Sequence, residues 1–359
     1  MKYNPLKKLE LSGKKIVSFL FGILFGGSSS RHLSINSIKK ILVFRLDQKI
    51  GNGLLLIPLL NAIRQTNPDI KLHLHIHYPI AELLNACIPG LVDKYWPYRQ
   101  KELLKNPFLF LKWIYQLRQE KYDLIISSTN PDNFSVSQAI FGRICHPKLL
   151  IGFSSKNSSR YYDAAIFSSA EKHYAESQLD LWRFFKKEAK LSWPRFEISN
   201  KISEQIQKNN EIKNGTKPVL IWVGATGDKV LPSETILMIY KELEKNSFSP
   251  IIFAAGPEDS QISEKLPDWI CRQVIIWKDS LIKTAAFFSL FGMIISADTG
   301  PAHLAVAMDV PTITIFISSK IGQYGYNDGK RHFSFELKNP EQTRTFLNKS
   351  IQALQNVNG

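Results

Sequence analysis

Residues 295–316 read ISADTGPAHLAVAMDVPTITIF. Ser296 closes an apolar run that begins at Met293, and Thr312–Phe316 is a second run rich in β-branched residues, so both read as strands. Between them Pro301 stands where a first helical residue should, with Thr299 or Gly300 as cap, and the helix is expected to run to Met308. The N–H groups at the start of that helix point above the strand ends, which makes a ready site for an anion such as a diphosphate. Gly300 lets backbone approach closely, Thr299 adds a hydroxyl donor, and His303 in the first turn can donate to a phosphate oxygen. Asp298 is acceptor-only when ionised, so it should face sugar hydroxyls or backbone N–H groups rather than phosphate. The competing reading is a well-capped helix with a surface histidine.

Upstream, WVGATGDKVLP (Trp222–Pro232) ends another strand. Gly224, Thr226 and Gly227 make a small-residue loop, and Lys229 is a flexible point charge suited to phosphate. The spacing of a Walker loop is absent. AAGPEDS (Ala254–Ser260) also ends a strand, and its Glu258 could reach a ribose, a closing turn being the alternative. The expected strands of this half are Val219–Val223, Pro250–Ala254, Val274–Trp277, Met293–Ser296 and Thr312–Phe316. Helices are expected at Ser233–Lys245, Ser280–Ser289, Pro301–Met308 and Pro340–Gln355. Two strand-end loops in one domain, each with phosphate-binding chemistry, point to a ligand site at the carboxyl edge of a parallel sheet.

The first half repeats the plan. Strands are expected at Ile41–Phe44, Leu72–Ile76, Leu124–Ser127 and Leu149–Ile151, with helices at Leu54–Arg64, Ile80–Ala86, Pro107–Arg118 and Ser135–Arg143. The first strand empties into RLDQKIGNGLLLIP (Arg45–Pro58), a glycine loop in which Asp47 and Asn52 are the candidate polar residues. Residues 152–217 are rich in Ser, Lys, Asn and Tyr, with one expected helix at Glu176–Glu188 and a polar end. The fold class is therefore α/β, two Rossmann-like domains facing across a cleft. We place an amino-terminal arm at 1–38, a first domain at 39–200, a linker at 201–217, a second domain at 218–339 and a closing helix at 340–359.

Of 359 residues, 44% are hydrophobic and 11% aromatic, enough for two full cores and incompatible with a disordered chain. The net charge of +15 is concentrated at the start, where residues 1–40 hold eight basic side chains against the single acid Glu10. That arm includes IVSFLFGILF (Ile16–Phe25), too short for a bilayer span of ~20 residues. A basic flank beside a short apolar helix suits an anionic membrane surface. A packed helix and a secretory signal are the other readings. No nucleic-acid module accompanies the charge. Cys87, Cys145 and Cys271 form no C-x-x-C pair, which fits a reducing compartment. His73, His75 and His77 share one strand face at a spacing of ~6.5–7 Å, too wide for one tetrahedral ion. They read as a polar sheet face near the first domain's ligand.

The text SADTGPAHLAVAMDVP resembles the S-x-D-[ST]-G-x-x-H-L-A-A-A-L-x-x-P pattern of glycosyltransferase family 9, the ADP-heptose:lipopolysaccharide heptosyltransferases. ILVFRLDQKIGNGLLLIPLLNAIR is similar to the family's amino-terminal I-L-V-I-R-L-S-x-I-G-D-x-x-x-x-x-P-L-L-x-A-L-R. The resemblance runs through residues 40–320, weakly over 90–217. It implies a GT-B fold and inversion at the anomeric carbon without a metal or other cofactor. An anionic lipid-linked saccharide acceptor would sit on the first domain and a nucleotide sugar, ADP-heptose, on the second. Thr226 and Lys229 would meet the donor diphosphate, Asp298, Thr299, Gly300 and His303 would complete the donor site, and Glu258 would lie near the ribose. The resemblance further implies a cytoplasmic enzyme, peripheral on the inner face of the inner membrane. One departure stands out. The family has a catalytic aspartate directly after I-G, and here that residue is Asn52, an amide that cannot take a proton. The loop is also one residue longer, which brings in Asp47 as the alternative base. Its competing role is an ion pair with Arg45 or Lys49, or a cap on the loop. Other readings are a GT-B transferase with a different nucleotide sugar and an inactive saccharide or nucleotide binder.

Overall fold

A computed structural model of the protein describes residues 33–98, 107–155, 158–210, 212, 217–257, 259 and 266–358. The amino-terminal arm, apart from its last residues, and Glu258 lie outside the described residues. The chain forms two compact units. Of the described residues, one takes in those up to Gln48, Leu56–Ala81 and those between Gly90 and Ser192; the other takes in Lys49–Leu55, Glu82–Pro89 and those from Trp193 onward.

In chain order the first half runs β1 (Lys40–Phe44), α1 (Ile50–Leu54), α2 (Ile57–Thr66), β2 (Lys71–His77), α3 (Tyr78–Cys87), β3 (Lys94–Tyr98) and α4 (Pro107–Gln119). It continues with β4 (Leu124–Ser127), α5 (Val136–Ile144), β5 (Leu149–Phe153), β6 (Ala164–Ile166) and α6 (Tyr174–Arg183). The second half has α7 (Asn200–Asn209), β7 (Val219–Trp222), α8 (Ser233–Lys245), β8 (Ile251–Ala255), α9 (Asp268–Cys271), β9 (Ile275–Ile276) and α10 (Leu281–Phe288). It closes with β10 (Met293–Ala297), α11 (Gly300–Ala307), β11 (Thr312–Phe316), α12 (Ile321–Tyr324), β12 (His332–Glu336) and α13 (Pro340–Asn358).

Both sheets are parallel, and both have the doubly wound order. The first is β3-β2-β1-β4-β5-β6 and the second β12-β11-β10-β7-β8-β9. In register, Ile41 stands beside both Leu72 and Leu124, while Leu220 stands beside Ile294 and Ile252. The central strands are buried throughout, as apolar runs covered by helices on both faces must be. Every strand expected from sequence is present within a residue or two at each end. The three that sequence did not supply, β3, β6 and β12, all lie at sheet edges.

Four expectations need correction. The single helix expected at Leu54–Arg64 is two, because Pro58 lies in the first turn of α2, the one helical place where a missing N–H is harmless. The helix expected at Glu176–Glu188 starts earlier and stops sooner, at Tyr174–Arg183, capped by the His173 ring, which accepts from the Ala175 N–H at 3.3 Å. The polar stretch read as a linker carries α7, whose Ile206 is buried and which packs on α10.

The fourth correction concerns the histidines of β2. They do not line a polar face. His75 has no exposed surface and stacks on Phe44 at 4.4 Å between centroids, with Trp113 at 4.9 Å. Burial pushes its imidazole down to about 3. His73 donates to or accepts from the Tyr122 hydroxyl at 2.9 Å, and burial lowers it to about 4. Alternation along a strand cannot tell a polar face from an aromatic core that contains imidazoles.

Because the unfolded state takes up a proton near the ordinary histidine value and the folded His75 does not, stability falls as pH drops below about 6.5. At pH 5 this single group costs on the order of 2 kcal/mol. A His75→Phe variant keeps the aromatic stack and removes the titration, so its loss of melting temperature between pH 7 and pH 5 is expected to be clearly smaller than that of the unmodified protein. Parallel melting curves at the two pH values check this.

Candidate functional site

In each sheet the strand order reverses between two central neighbours, β1 and β4 in the first and β7 and β10 in the second. The connections leaving each pair go to opposite faces and leave a crevice above their carboxyl ends. In the second unit both sequence-predicted loops arrive there. β7 is followed by the turn Gly227–Lys229, with Thr226 exposed before it. Gly227 has a φ of 65°, a left-handed conformation that glycine adopts without strain. That turn aims Lys229 across the crevice. Its Nζ donates to the Asp298 carboxylate at 2.7 Å and to the Asp298 carbonyl at 3.0 Å.

Asp298 is the focus of the site. It follows β10 directly and is only 2% exposed. Besides Lys229 it accepts from the Ser319 hydroxyl, and His303 Nε2 lies 3.4 Å from its other oxygen. Burial alone would raise the Asp298 carboxyl, but the hydrogen bonds and charges of His303, Lys229 and Ser319 hold it well below the usual carboxylate range. It therefore stays ionised. The sequence reading has it facing sugar hydroxyls or backbone N–H groups; its partners in the structure are the Lys229 ammonium, the Ser319 hydroxyl and the His303 ring.

His303 lies in α11 and is buried, so the reading as a surface histidine does not hold. Its Nδ1 lies 2.9 Å from the Tyr326 hydroxyl. Burial, helped by the negative charge of Asp298, pushes the Tyr326 phenol above its usual range, so its O–H is kept. A carboxylate facing Nε2 favours a proton on that nitrogen, and the phenol then donates to Nδ1. Thr299 caps α11 by backbone geometry only, since its hydroxyl donates back to the Ala297 carbonyl at 3.3 Å. The Thr299 side chain makes no capping hydrogen bond to the start of α11.

The amino-terminal glycine loop completes this wall. α1 belongs to the second unit and packs on α11. A Cβ on Gly51 would stand 2.6 Å from His303 Cδ2, so only glycine lets α1 approach the imidazole this closely. Asn52 follows it in α1 and is 8% exposed. Sequence reading missed three groups here: Ser319, Tyr326 and Tyr324, whose ring centroid is 5.7 Å from Lys229 Nζ. They lie on the segment between β11 and β12, just beyond the recognisable motif. Asp259, next to the expected Glu258, accepts from the Gly256 N–H at 3.0 Å, and its carboxylate fills the space a side chain on Gly224 would need.

The first unit has its own polar group at the equivalent reversal. Arg45, 2% exposed, leaves the end of β1 and donates to the Ser128 carbonyl at 3.2 Å and to Asn130 Oδ1 at 2.7 Å, both just past β4. It pairs with Asp47 at 2.5 Å. The ion pair left open by the sequence is thus present, and it fixes Asp47 at the lip of the first crevice with its side chain 37% exposed.

Adding a methyl at Gly51 must push His303 or α1 aside. Overpacking of this kind costs about 1–3 kcal/mol. The Gly51→Ala variant should show that loss in denaturant unfolding, whereas Gly90→Ala, with open space around its Cβ but a φ of 79°, should lose stability through backbone strain alone.

Comparison with known proteins agrees with this geometry. The family model for glycosyltransferase family 9 (heptosyltransferase) matches residues 110–351. Lipopolysaccharide heptosyltransferase 1 of Campylobacter coli is 21% identical over 313 residues, which is 77% of this chain and 83% of that protein. Among solved structures, the Escherichia coli ADP-heptose lps heptosyltransferase II superposes with a TM-score of 0.69 at 16% identity, over 89% of this chain and 100% of that one. The Escherichia coli heptosyltransferase WaaC with ADP superposes with a TM-score of 0.63 at 19% identity, over 89% and 99%. The shared fold is GT-B.

Proposed function

Given that the chain belongs to glycosyltransferase family 9 and is a glycosyltransferase, we propose that it transfers heptose from ADP-heptose to an anionic, lipid-linked saccharide of the lipopolysaccharide core. The observation that carries this reading is the Lys229–Asp298–His303 cluster above the β7–β10 reversal, at the amino-terminal end of α11, which Thr299 leaves without a side-chain cap. An arrangement of one mobile ammonium and a helix start is suited to a diphosphate. The solved relatives named with ADP and ADP-heptose make that donor the first to test.

In an inverting transfer the acceptor oxygen forms a bond to the anomeric carbon as the bond from that carbon to the diphosphate oxygen breaks. Negative charge grows on the leaving diphosphate. Lys229, turning from Asp298 to the phosphate, and the α11 N–H groups would neutralise it, while Asp298 holds the ammonium in place before the donor arrives. Thr226, Thr299 and Gly300 would border the diphosphate, with Glu258 towards the ribose. The acceptor proton needs a base. Asn52 cannot accept it, and we assign that role to Asp47, oriented by Arg45. Asn52 would then orient the acceptor by hydrogen bonds. The enzyme would work at the inner face of the inner membrane, drawn there by the basic arm at residues 1–38. Among the described residues no helix is long and apolar enough to cross a membrane.

Two variants test the assignment. Lys229→Ala should weaken ADP binding by the equivalent of ~1.5–3 kcal/mol, roughly 10- to 150-fold, in titration calorimetry, with the fold intact. Asp47→Asn should lower kcat by ~10²–10⁴ while ADP affinity is unchanged. Wild-type turnover by Asp47→Asn would remove Asp47 as the base. Asn52 at the family's aspartate position favours one second reading, a saccharide or nucleotide binder without catalysis. ADP binding without turnover of any nucleotide sugar would establish it.

A further inference from the structure

α4 carries an apolar face that points outward. Its sequence is PFLFLKWIYQLRQ, which contains no acidic residue. Trp113 and Leu117 point inward and join Phe44, Tyr122 and Ile125 in the core of the first unit. On the opposite side Phe108 is 82% exposed, Leu111 61% and Tyr115 63%. These three stand three and four positions apart, so they form one stripe along the helix. Lys112, within the stripe, and Arg118, beside it, are exposed as well. From Arg99 to Gln119 the sequence holds Arg99, Lys101, Lys105, Lys112 and Arg118 against the single acid Glu102.

A water-exposed row of Phe, Leu and Tyr costs solvation free energy unless something covers it. A packed core occupies the inner face of α4, while the outer row stays largely exposed to water. Aromatic and aliphatic groups interleaved with lysine and arginine, on a helix that itself carries no carboxylate, match one environment closely. The apolar groups enter the acyl boundary and the cations stay among anionic headgroups. We propose that α4 is a membrane-contact helix that lays its Phe108–Leu111–Tyr115 stripe on an anionic phospholipid surface. This goes beyond the assignment of membrane attachment to the basic arm. It depends neither on the donor nor on catalysis, so it stands or falls separately from the transferase reading.

The test is partitioning of the full chain onto vesicles of phosphatidylglycerol and phosphatidylethanolamine, with pure phosphatidylcholine vesicles as the uncharged comparison. Replacing all three stripe residues (Phe108→Ser, Leu111→Ser, Tyr115→Ser) should lower the partition coefficient on anionic vesicles at least about tenfold. Melting temperature and ADP affinity should stay unchanged. Undiminished binding by the folded triple variant overturns the proposal, because the arm then suffices. A change in oligomeric state with vesicle binding preserved also overturns it, assigning the stripe to a second copy of the chain. Should the triple variant fail to fold, Lys112→Glu, which removes no apolar contact, decides. It should lower binding to anionic vesicles about fivefold or more and leave ADP affinity alone, and equal binding overturns the proposal.

Discussion

The constraint on which everything else depends is the parallel strand. A parallel pair cannot be closed by a tight turn, so each strand needs a helical crossover, and the chain always returns to the same edge. The carboxyl ends of all strands in a sheet therefore collect on one side. Where the strand order reverses, the crossovers part and leave polar backbone above the break. Both units place a cation at that break. In the first it is Arg45, reaching from the end of β1 to Ser128 and Asn130 past β4. In the second it is Lys229, reaching from the end of β7 to Asp298 past β10. The same topology produces the same electrostatic solution twice.

The two cations are held differently, and the difference follows from their chemistry. The Arg45 guanidinium is planar and nearly buried, and it uses several donors at once on a carbonyl, an amide and a carboxylate. It is fixed. Lys229 has one compact ammonium on a flexible stem, with its side chain 32% exposed. Its ammonium reaches Asp298 from the solvent side, and Lys229, Ser319 and His303 together keep that buried carboxylate ionised. A rigid cation suits orientation of a neighbouring carboxylate. A movable one suits a ligand that comes and goes.

The sequence shows the centre of each sheet plainly and its margins poorly. β1, β4, β7, β10 and β11 are covered on both faces, so each is an apolar run bounded by polar residues, and each was legible almost to the residue. β3 includes Pro97, β6 is three residues long, and β12 alternates His332, Ser334 and Glu336 with phenylalanine. Half-covered strands lack the continuous apolar signature. The donor-side cluster was legible where it coincides with a motif, at Lys229, Asp298 and His303. Ser319, Tyr324 and Tyr326 were not, because they are brought back by the β11–β12 connection and carry no spacing rule. β2 shows the opposite failure. Three alternating histidines advertised a polar face, and packing against Phe44 and Trp113 turned one of them into an aromatic core residue.

The short margins have a consequence for how the molecule behaves in a crowded solution. An open sheet ends in strands whose outer N–H and C=O groups are available to another chain, and long flat edges recruit strands from neighbours. Here the outer strand β3 is interrupted by a proline that lacks a donor, β6 offers three residues and β9 only two. These three present little uninterrupted backbone to a foreign strand, and β12, with five residues and no proline, is the one longer edge. A polypeptide with two fully parallel sheets, slow to assemble because each pairing joins distant segments, is thereby protected at three of its four edges from the side reaction to which such sheets are most exposed.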